Sequence, residues 1–313
     1  MNIAIIGAGA TGLLFAAYLS HAGYSIVILD TDEAKINSIT DNDIKVLSPA
    51  RDEILRASPY ETLLPAHLEK SNKFKNCKYY IFCVKSFSTK NAAESICKFV
   101  NPDSIVATLQ NGAGNIETLS AFFKLDNIAA GTTTEGATLL EPGIVIHGGK
   151  GSTFIGLAAS SATHIPRLNP LIAAFEKAGF KTSYTDNPRK MIWEKLAVNA
   201  SINPITSILK TNNGAIIENN YLKNLIKIIT AEVCLAANND SIKLNPDEMY
   251  NKVLEVAENT KANKSSMLQD ILAGKKTEIE NISGFVAKAA ENAGLPAKAN
   301  LALFLLVKAL ESR

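Results

Sequence analysis

The chain opens on a short apolar run, Asn-Ile-Ala-Ile-Ile-Gly over residues 2–7, the pattern of a parallel strand buried on both faces. Residues 11–22 switch to helical periodicity through Leu14, Phe15, Tyr18 and Leu19, and Gly23 supplies a C-cap. Further buried strands are predicted over 24–30, 79–84, 105–109 and 128–134, with a helical stretch over 88–99. Strands alternating with helices predict a doubly wound α/β sheet. After Gly136 the rhythm changes. Residues 143–147 and 152–156, separated by Gly148, Gly149 and Gly151, read as an antiparallel hairpin on the sheet's edge. A helix over 166–178 and a strand over 181–184 complete this domain. From Pro188 to residue 310 the pattern is helical, broken at Gly214, Asn245-Pro246, Gly274 and Gly294-Leu-Pro296. Residues 1–186 are therefore expected to form one domain and 187–313 a second, all-helical one.

Composition narrows the function classes. The net charge is only +2 over 313 residues and no basic block stands out, which argues against nucleic acid as a partner. Cys77, Cys83, Cys97 and Cys234 form no Cys-x-x-Cys pair, and His21, His67, His147 and His164 are dispersed. A zinc site is not expected, and the cysteines read as reduced residues of a cytoplasmic protein. Residues 3–19 are apolar enough to suggest a signal peptide but lack a positive n-region, and glycines interrupt them. No later run offers the ~20 apolar residues of a membrane span.

The first chemical motif is Gly7-Ala8-Gly9-Ala10-Thr11-Gly12, a G-x-G-x-x-G between a strand and a helix. The first glycine permits a tight turn and the second lets backbone approach a pyrophosphate. The third lets helix pack on strand, so that the helix N-terminus faces the phosphates. Asp30 ends the second strand, where a carboxylate accepts hydrogen bonds from the adenosine ribose and repels a 2′-phosphate. That favours NADH over NADPH. A local alternative is that Asp30 caps the turn running to Glu33, and Lys35 stands close enough to reach a phosphate. Gln110-Asn111-Gly112-Ala-Gly114 and Lys85 end two further strands, where open sheets bind ligands; the bland readings are an Asn-Gly turn and a solvated lysine.

The second motif lies in Trp193-Glu-Lys-Leu-Ala-Val-Asn-Ala-Ser-Ile-Asn-Pro204. Lys195, Asn199 and Asn203 stand four residues apart, so on a helix they climb one face, drifting about 40° per step. Such a stripe can hold and protonate an oxygen-rich substrate, or it can be a solvated face. Later, Ile279, Ile282, Phe285, Val286, Ala289 and Ala293 form one apolar arc at helical spacing. Glu278 falls within that arc and Glu280 outside it. An inward carboxylate needs a partner, and Lys195 is a candidate. Ser266…Gln269 and Thr277…Glu280 also match capping boxes.

In order along the chain, residues 7–12, Gln110-Asn-Gly-x-Gly114, Gly131-Thr-Thr-Thr134, Lys195-Leu-Ala-Val-Asn-x-x-Ile-Asn-Pro204, Asn213-Gly214, Ser265-Ser-Met-Leu-Gln-Asp270 and Thr277-Glu-Ile279 resemble the ketopantoate reductase family. The resemblance covers nearly the full length. It implies an N-terminal Rossmann-type dinucleotide-binding domain and an all-α C-terminal domain, with the active site in the cleft between them. It also implies reduction of 2-dehydropantoate to pantoate, for pantothenate and coenzyme A, with NADPH or NADH. Lys195 matches the family's general acid and Glu278 its catalytic glutamate. Asn199, Asn203 and Asn213 match substrate-cleft asparagines. Ser266, with Asn263 close by, matches the group holding the ketoacid carboxylate. Asn111 and Lys85 match cofactor-site residues. One position departs: Thr31, after Asp30, stands where the family usually has an arginine for the 2′-phosphate. A related dehydrogenase of another small 2-keto acid, a non-catalytic NAD sensor and a methyltransferase are the alternatives. The apolar residues 301–310 serve a core or a homodimer interface equally well.

Overall fold

The computed structural model describes residues 1–48, 53–159 and 165–312; His164 lies outside them. Alternate residues of the first strand, β1 (Asn2–Ile6), enter two different apolar layers. Ile3 and Ile5 join Phe15, Ile26, Ile81 and Phe175, whereas Ala4 and Ile6 join Val27, Tyr80 and Phe82. Side chains alternate across a strand, so an unbroken apolar run requires cover on both faces. Each large apolar side chain so buried contributes about 1.5–3 kcal/mol. This two-sided burial holds β1 at the middle of a sheet.

That sheet adds β2 (Ser25–Leu29), β5 (Glu61–Leu63), β6 (Tyr79–Phe82), β7 (Ile105–Thr108), β8 (Ile128–Thr133), β11 (Ser152–Leu157) and β12 (Lys181–Tyr184), in the order β12-β11-β8-β7-β6-β1-β2-β5. All neighbours pair in parallel except β8 and β11. The order reverses between β1 and β6, and the loops after these two strands share the switch point where open sheets bind ligands. A smaller sheet, β4 (Glu53–Ala57), β3 (Ile44–Ser48), β10 (Ile144–Gly149) and β9 (Gly136–Glu141), packs on helix α1 (Ala10–His21). The remaining helices of this unit are α2 (Glu33–Asn42), α3 (Asn72–Lys75), α4 (Thr89–Ile96), α5 (Asn115–Ser120) and α6 (Ile165–Lys177).

The expected hairpin does not form. β10 pairs with β9 and β3 in the small sheet, while β11 pairs with β8 and β12 in the large one. The chain changes sheets at Gly151, where a Cβ would lie 2.3 Å from the Thr134 carbonyl carbon. Only a residue without a side chain passes so close. β10 also brings His147 into the interior, where its Nε2 lies 2.7 Å from Glu135 and its Nδ1 3.1 Å from the Tyr18 hydroxyl. That histidine is a buried structural link between β10 and α1.

The chain divides into two compact units: Met1–Gln110 with Asn115–Pro188, and Asn111–Gly114 with Arg189–Arg313. The second is built from α7 (Pro188–Leu209), α8 (Ala215–Glu218), α9 (Asn220–Asn239), α10 (Pro246–Asn259), α11 (Ser266–Leu272), α12 (Ser283–Asn292) and α13 (Lys298–Glu311). Its breaks have local causes. Asn219 and Asn245 cap α9 and α10 by accepting first-turn N–H groups, and Pro246 starts α10 where no donor is needed. Trp193, Leu196, Ala197, Val233, Val253 and Val286 lie in its core. Among the described residues no helix is long and apolar enough to cross a membrane.

Candidate active site

In the first unit the glycine turn has the geometry its spacing predicts. Gly7 has φ +109°, and a Cβ there would sit 2.7 Å from the Val84 nitrogen. At Gly12 a Cβ would meet the Gly7 carbonyl oxygen at 2.0 Å, so helix and turn touch backbone to backbone. Gly9 differs. Its Cβ would find only the Cys83 carbonyl oxygen, at 3.9 Å, so the protein itself does not require a glycine there. Gly9 also starts α1 without a side-chain cap, and no acid stands in the first turn. A helix N-terminus with uncapped N–H groups and space beside its glycine fits a dinucleotide pyrophosphate.

Asp30 is engaged locally. Its Oδ2 accepts the Ala8 N–H at 2.6 Å and its Oδ1 the Asp32 N–H at 2.9 Å. The turn-capping alternative is thus realised, and the carboxylate ties the glycine turn to the entry of α2. A carboxylate has about four acceptor positions, so two stay available to a ribose. Lys35 lies 3.9 Å from Asp30 and 3.4 Å from Asp32, and Thr31 between them is exposed. Lys85 is half-buried after β6. Its segment is anchored by Gln110, which donates through Nε2 to the Val84 carbonyl at 2.7 Å and to Thr89 Oγ1 at 2.8 Å. That anchoring was hidden in the sequence, where Gln110 is only the first letter of a turn.

In the second unit Lys195, Asn199 and Asn203 all lie on α7, which runs on through Pro204. Leu196, Ala197 and Ala200 beside them are core, so the stripe borders the interior. Lys195 and Asn199 are half-buried and Asn203 is buried. Burial pulls the Lys195 ammonium down to about 8, and the Glu278 charge partly offsets the fall. Glu278 is buried and its Oε2 accepts from Asn111 Nδ2 at 3.4 Å. Asn111 stands in a turn clasped to residue 281: Ala113 N–H donates to the Asn281 carbonyl at 2.9 Å, and Asn281 Nδ2 returns to the Ala113 carbonyl at 3.2 Å. A Cβ at Gly112 would be 2.6 Å from that Asn281 oxygen, so the motif's glycine serves this contact.

Helical phase does not account for the inward position of Glu278. α12 begins only at Ser283, and Ile279–Asn281 is a 3-10 turn, so no continuous helix carries Glu278. It is buried by that turn, whereas Glu280 is exposed to Lys276 and Lys308. Neither capping box forms. Ser265 caps α11, accepting from Leu268, and Gln269 bonds the Lys264 carbonyl. Thr277 Oγ1 accepts the Ile279 N–H instead of pairing with Glu280.

The other candidates gather around the start of α11. Asn213 donates its backbone N–H to the Asn263 carbonyl at 3.0 Å and Nδ2 to Thr260 at 2.9 Å, while its Oδ1 is buried without a partner. Asn263 and Ser266 are exposed. Thr206, one turn past Asn203 on α7, meets Ser265 at 2.8 Å and so anchors Ser266 to that helix. No hydrogen bond within the second unit joins Ser266 to Lys195 or Glu278 among the described residues.

The switch-point sheet and open glycine turn place the chain among the Rossmann-type dinucleotide-binding proteins, here with a helical second unit. The family model "Ketopantoate reductase PanE/ApbA" matches residues 3–160, and "Ketopantoate reductase PanE/ApbA C terminal" matches residues 187–311. The chain belongs to the ketopantoate reductase family. A 2-dehydropantoate 2-reductase of Pyrococcus horikoshii is 33% identical over 100% of this chain and 98% of its own length. The crystal structure of 2-dehydropantoate 2-reductase from Geobacter metallireducens is 27% identical, over 98% of this chain and 99% of that one, with a TM-score of 0.88. A D-mandelate dehydrogenase structure with NADH and anilino(oxo)acetate, 23% identical over 100% and 99% of the two chains, shares the fold with a TM-score of 0.92.

Proposed function

We propose that the chain reduces 2-dehydropantoate to (R)-pantoate, in the cytoplasm, on the route to pantothenate and coenzyme A. The observation that carries this reading is the stripe of Lys195, Asn199 and Asn203 on α7, set beside core residues, with burial lowering the lysine's pKa and the Glu278 charge opposing that fall. Neither asparagine spends its side-chain amide on another described residue, so both can bind substrate. Residues 7–12, Asp30, Thr31, Lys85 and Asn111 would hold the cofactor, whose reduced nicotinamide supplies a hydride when bound. As negative charge develops on the ketone oxygen, Lys195 donates the proton that completes the hydroxyl. Its burial favours the neutral amine left behind, while the Glu278 charge offsets part of that fall and favours the protonated donor. Asn199, Asn203, Asn213, Asn263 and Ser266 orient the ketoacid.

Initial-rate assays with 2-dehydropantoate and a panel of other 2-keto acids, including an aryl one, test the substrate. A higher kcat/KM for a different 2-keto acid would overturn it. The proton donor makes a second test. Because the acid must be protonated, kcat/KM for reduction is expected to fall as pH rises through about 8. Glu278→Gln removes the charge that raises Lys195, so its alkaline limb moves to lower pH. A limb that stays in place would detach Glu278 from the lysine.

Cofactor choice follows from the end of β2. Two carboxylates, Asp30 and Asp32, lie within 4 Å of Lys35, with Thr31 in the usual arginine's position. This net negative cluster supports a preference for NADH. We expect kcat/KM to be roughly tenfold higher with NADH, a difference of about 1.4 kcal/mol. Asp30→Asn with Thr31→Arg should move the ratio toward NADPH; wild-type preference for NADPH would refute the reading.

A further inference from the structure

The segment bearing Glu278 has little regular structure of its own, only the 3-10 turn Ile279–Asn281 that follows it. A residue more than thirty positions away holds it. Glu311, at the end of α13, accepts through Oε1 both the Thr277 N–H, at 2.8 Å, and the Thr277 hydroxyl, at 2.6 Å. Thr277 is fully buried, so without Glu311 this N–H would face a desolvation cost. The same threonine oxygen accepts the Ile279 N–H at 3.2 Å. The residues on both sides of Glu278 are therefore pinned through one carboxylate. Lys308, a turn earlier on α13, steadies that carboxylate at 2.8 Å and reaches Glu280 at 3.0 Å, which also faces Lys276 at 3.5 Å.

We infer that Glu311 is a positioning residue of the reaction, fixing the backbone of Glu278 and hence the aim of the carboxylate that acts on Lys195 and Asn111. The inference rests on the proposed roles of Lys195 and Glu278. Glu311 touches neither substrate nor cofactor in this scheme; it acts through Thr277. Small displacements matter at such a site, since a 1 Å shift of a reacting group can cost about a hundredfold in rate.

The test compares the pH profile of kcat/KM for Glu311→Ala, Glu311→Gln, Thr277→Val and Glu278→Gln in the full-length protein, alongside thermal unfolding. Glu311→Ala releases Glu278, so its alkaline limb should move to lower pH, toward that of Glu278→Gln, and kcat/KM should drop about ten- to a hundredfold. Thr277→Val loses the hydroxyl link and should move the limb the same way, by less. Glu311→Gln keeps an acceptor oxygen for Thr277 and should retain a limb near wild type despite losing its ion pair with Lys308. A merely structural role would lower the unfolding temperature and leave the limb in place. If Glu278→Gln moves the limb and Glu311→Ala does not, this inference fails and the proposed function stands. If Glu278→Gln does not move it either, the inference fails together with the assignment of Glu278 to the lysine. Should Glu311→Ala not fold, a wild-type limb in Thr277→Val overturns the inference.

Discussion

Lys195→Ala is expected to lower kcat by about 10²–10⁴-fold, the range for losing a general acid, and to leave cofactor affinity unchanged. The residual activity should also lose the limb near pH 8, because the group that titrates there is gone. Lys195→Arg separates charge from proton donation. A guanidinium can hydrogen-bond the ketoacid but stays protonated across the whole accessible pH range. The arginine variant should therefore keep KM within a fewfold of wild type while kcat falls nearly as far as in the alanine variant. Steady-state kinetics on the two variants, with thermal unfolding to confirm folding, decide the matter. A kcat within a fewfold of wild type in Lys195→Ala would remove the lysine from the chemistry.

The second large effect belongs to the glycine turn, where two similar substitutions should behave differently. Gly12→Ala drives a Cβ to 2.0 Å from a backbone oxygen that cannot swing aside. Overpacking of this kind costs about 1–3 kcal/mol or more, so this variant should lose both thermal stability and dinucleotide binding. Gly9→Ala meets nothing in the protein closer than 3.9 Å. It should unfold at the wild-type temperature, yet bind dinucleotide at least ten times more weakly, because the methyl occupies the space where a pyrophosphate would approach. Fluorescence titration with NADH and a melting curve for each variant make the comparison. Unchanged affinity in Gly9→Ala would mean that the phosphates lie elsewhere.

The parts of this protein legible in the sequence are those whose causes are local. β1, α1 and the glycines between them announce themselves through two periodicities and a fixed spacing. The stripe from Lys195 to Asn203 needs only the helical period, and the caps at Asn245-Pro246 and Gly274 act within a turn of their own helices. What stayed hidden depends on partners far along the chain. Residues 143–147 and 152–156 looked like a hairpin because short neighbouring strands usually pair. Their hydrogen bonds go instead to strands in two separate sheets. β5 is only three residues and partly polar, and β3 buries Ile44 and Val46 on one face but is too short for a two-residue period to stand out. The helical period points Glu278 inward for a phase it does not have, and its burial comes from the turn at 279–281. Glu311 carries no signal of its own, and Gln110, though it opens a motif, gives no hint of its bonds to Val84 and Thr89. Each matters through a bond to a loop that the fold brings near.

One consequence of the Asn111–Gly114 turn concerns how this molecule can be taken apart. Four residues encoded amid the nucleotide-binding sequence belong physically to the helical unit, where they cover Asn281 and Phe285. The units are thus not consecutive modules along the polypeptide. A helical fragment expressed from residue 189 onward would leave the Asn281 carbonyl without its Ala113 partner and Glu278 without Asn111. A chimaera that borrows its nucleotide-binding half from a relative would replace this insert along with the rest. To preserve the recipient's helical half, the exchange has to be stitched around residues 111–114, keeping them with the sequence they fold against.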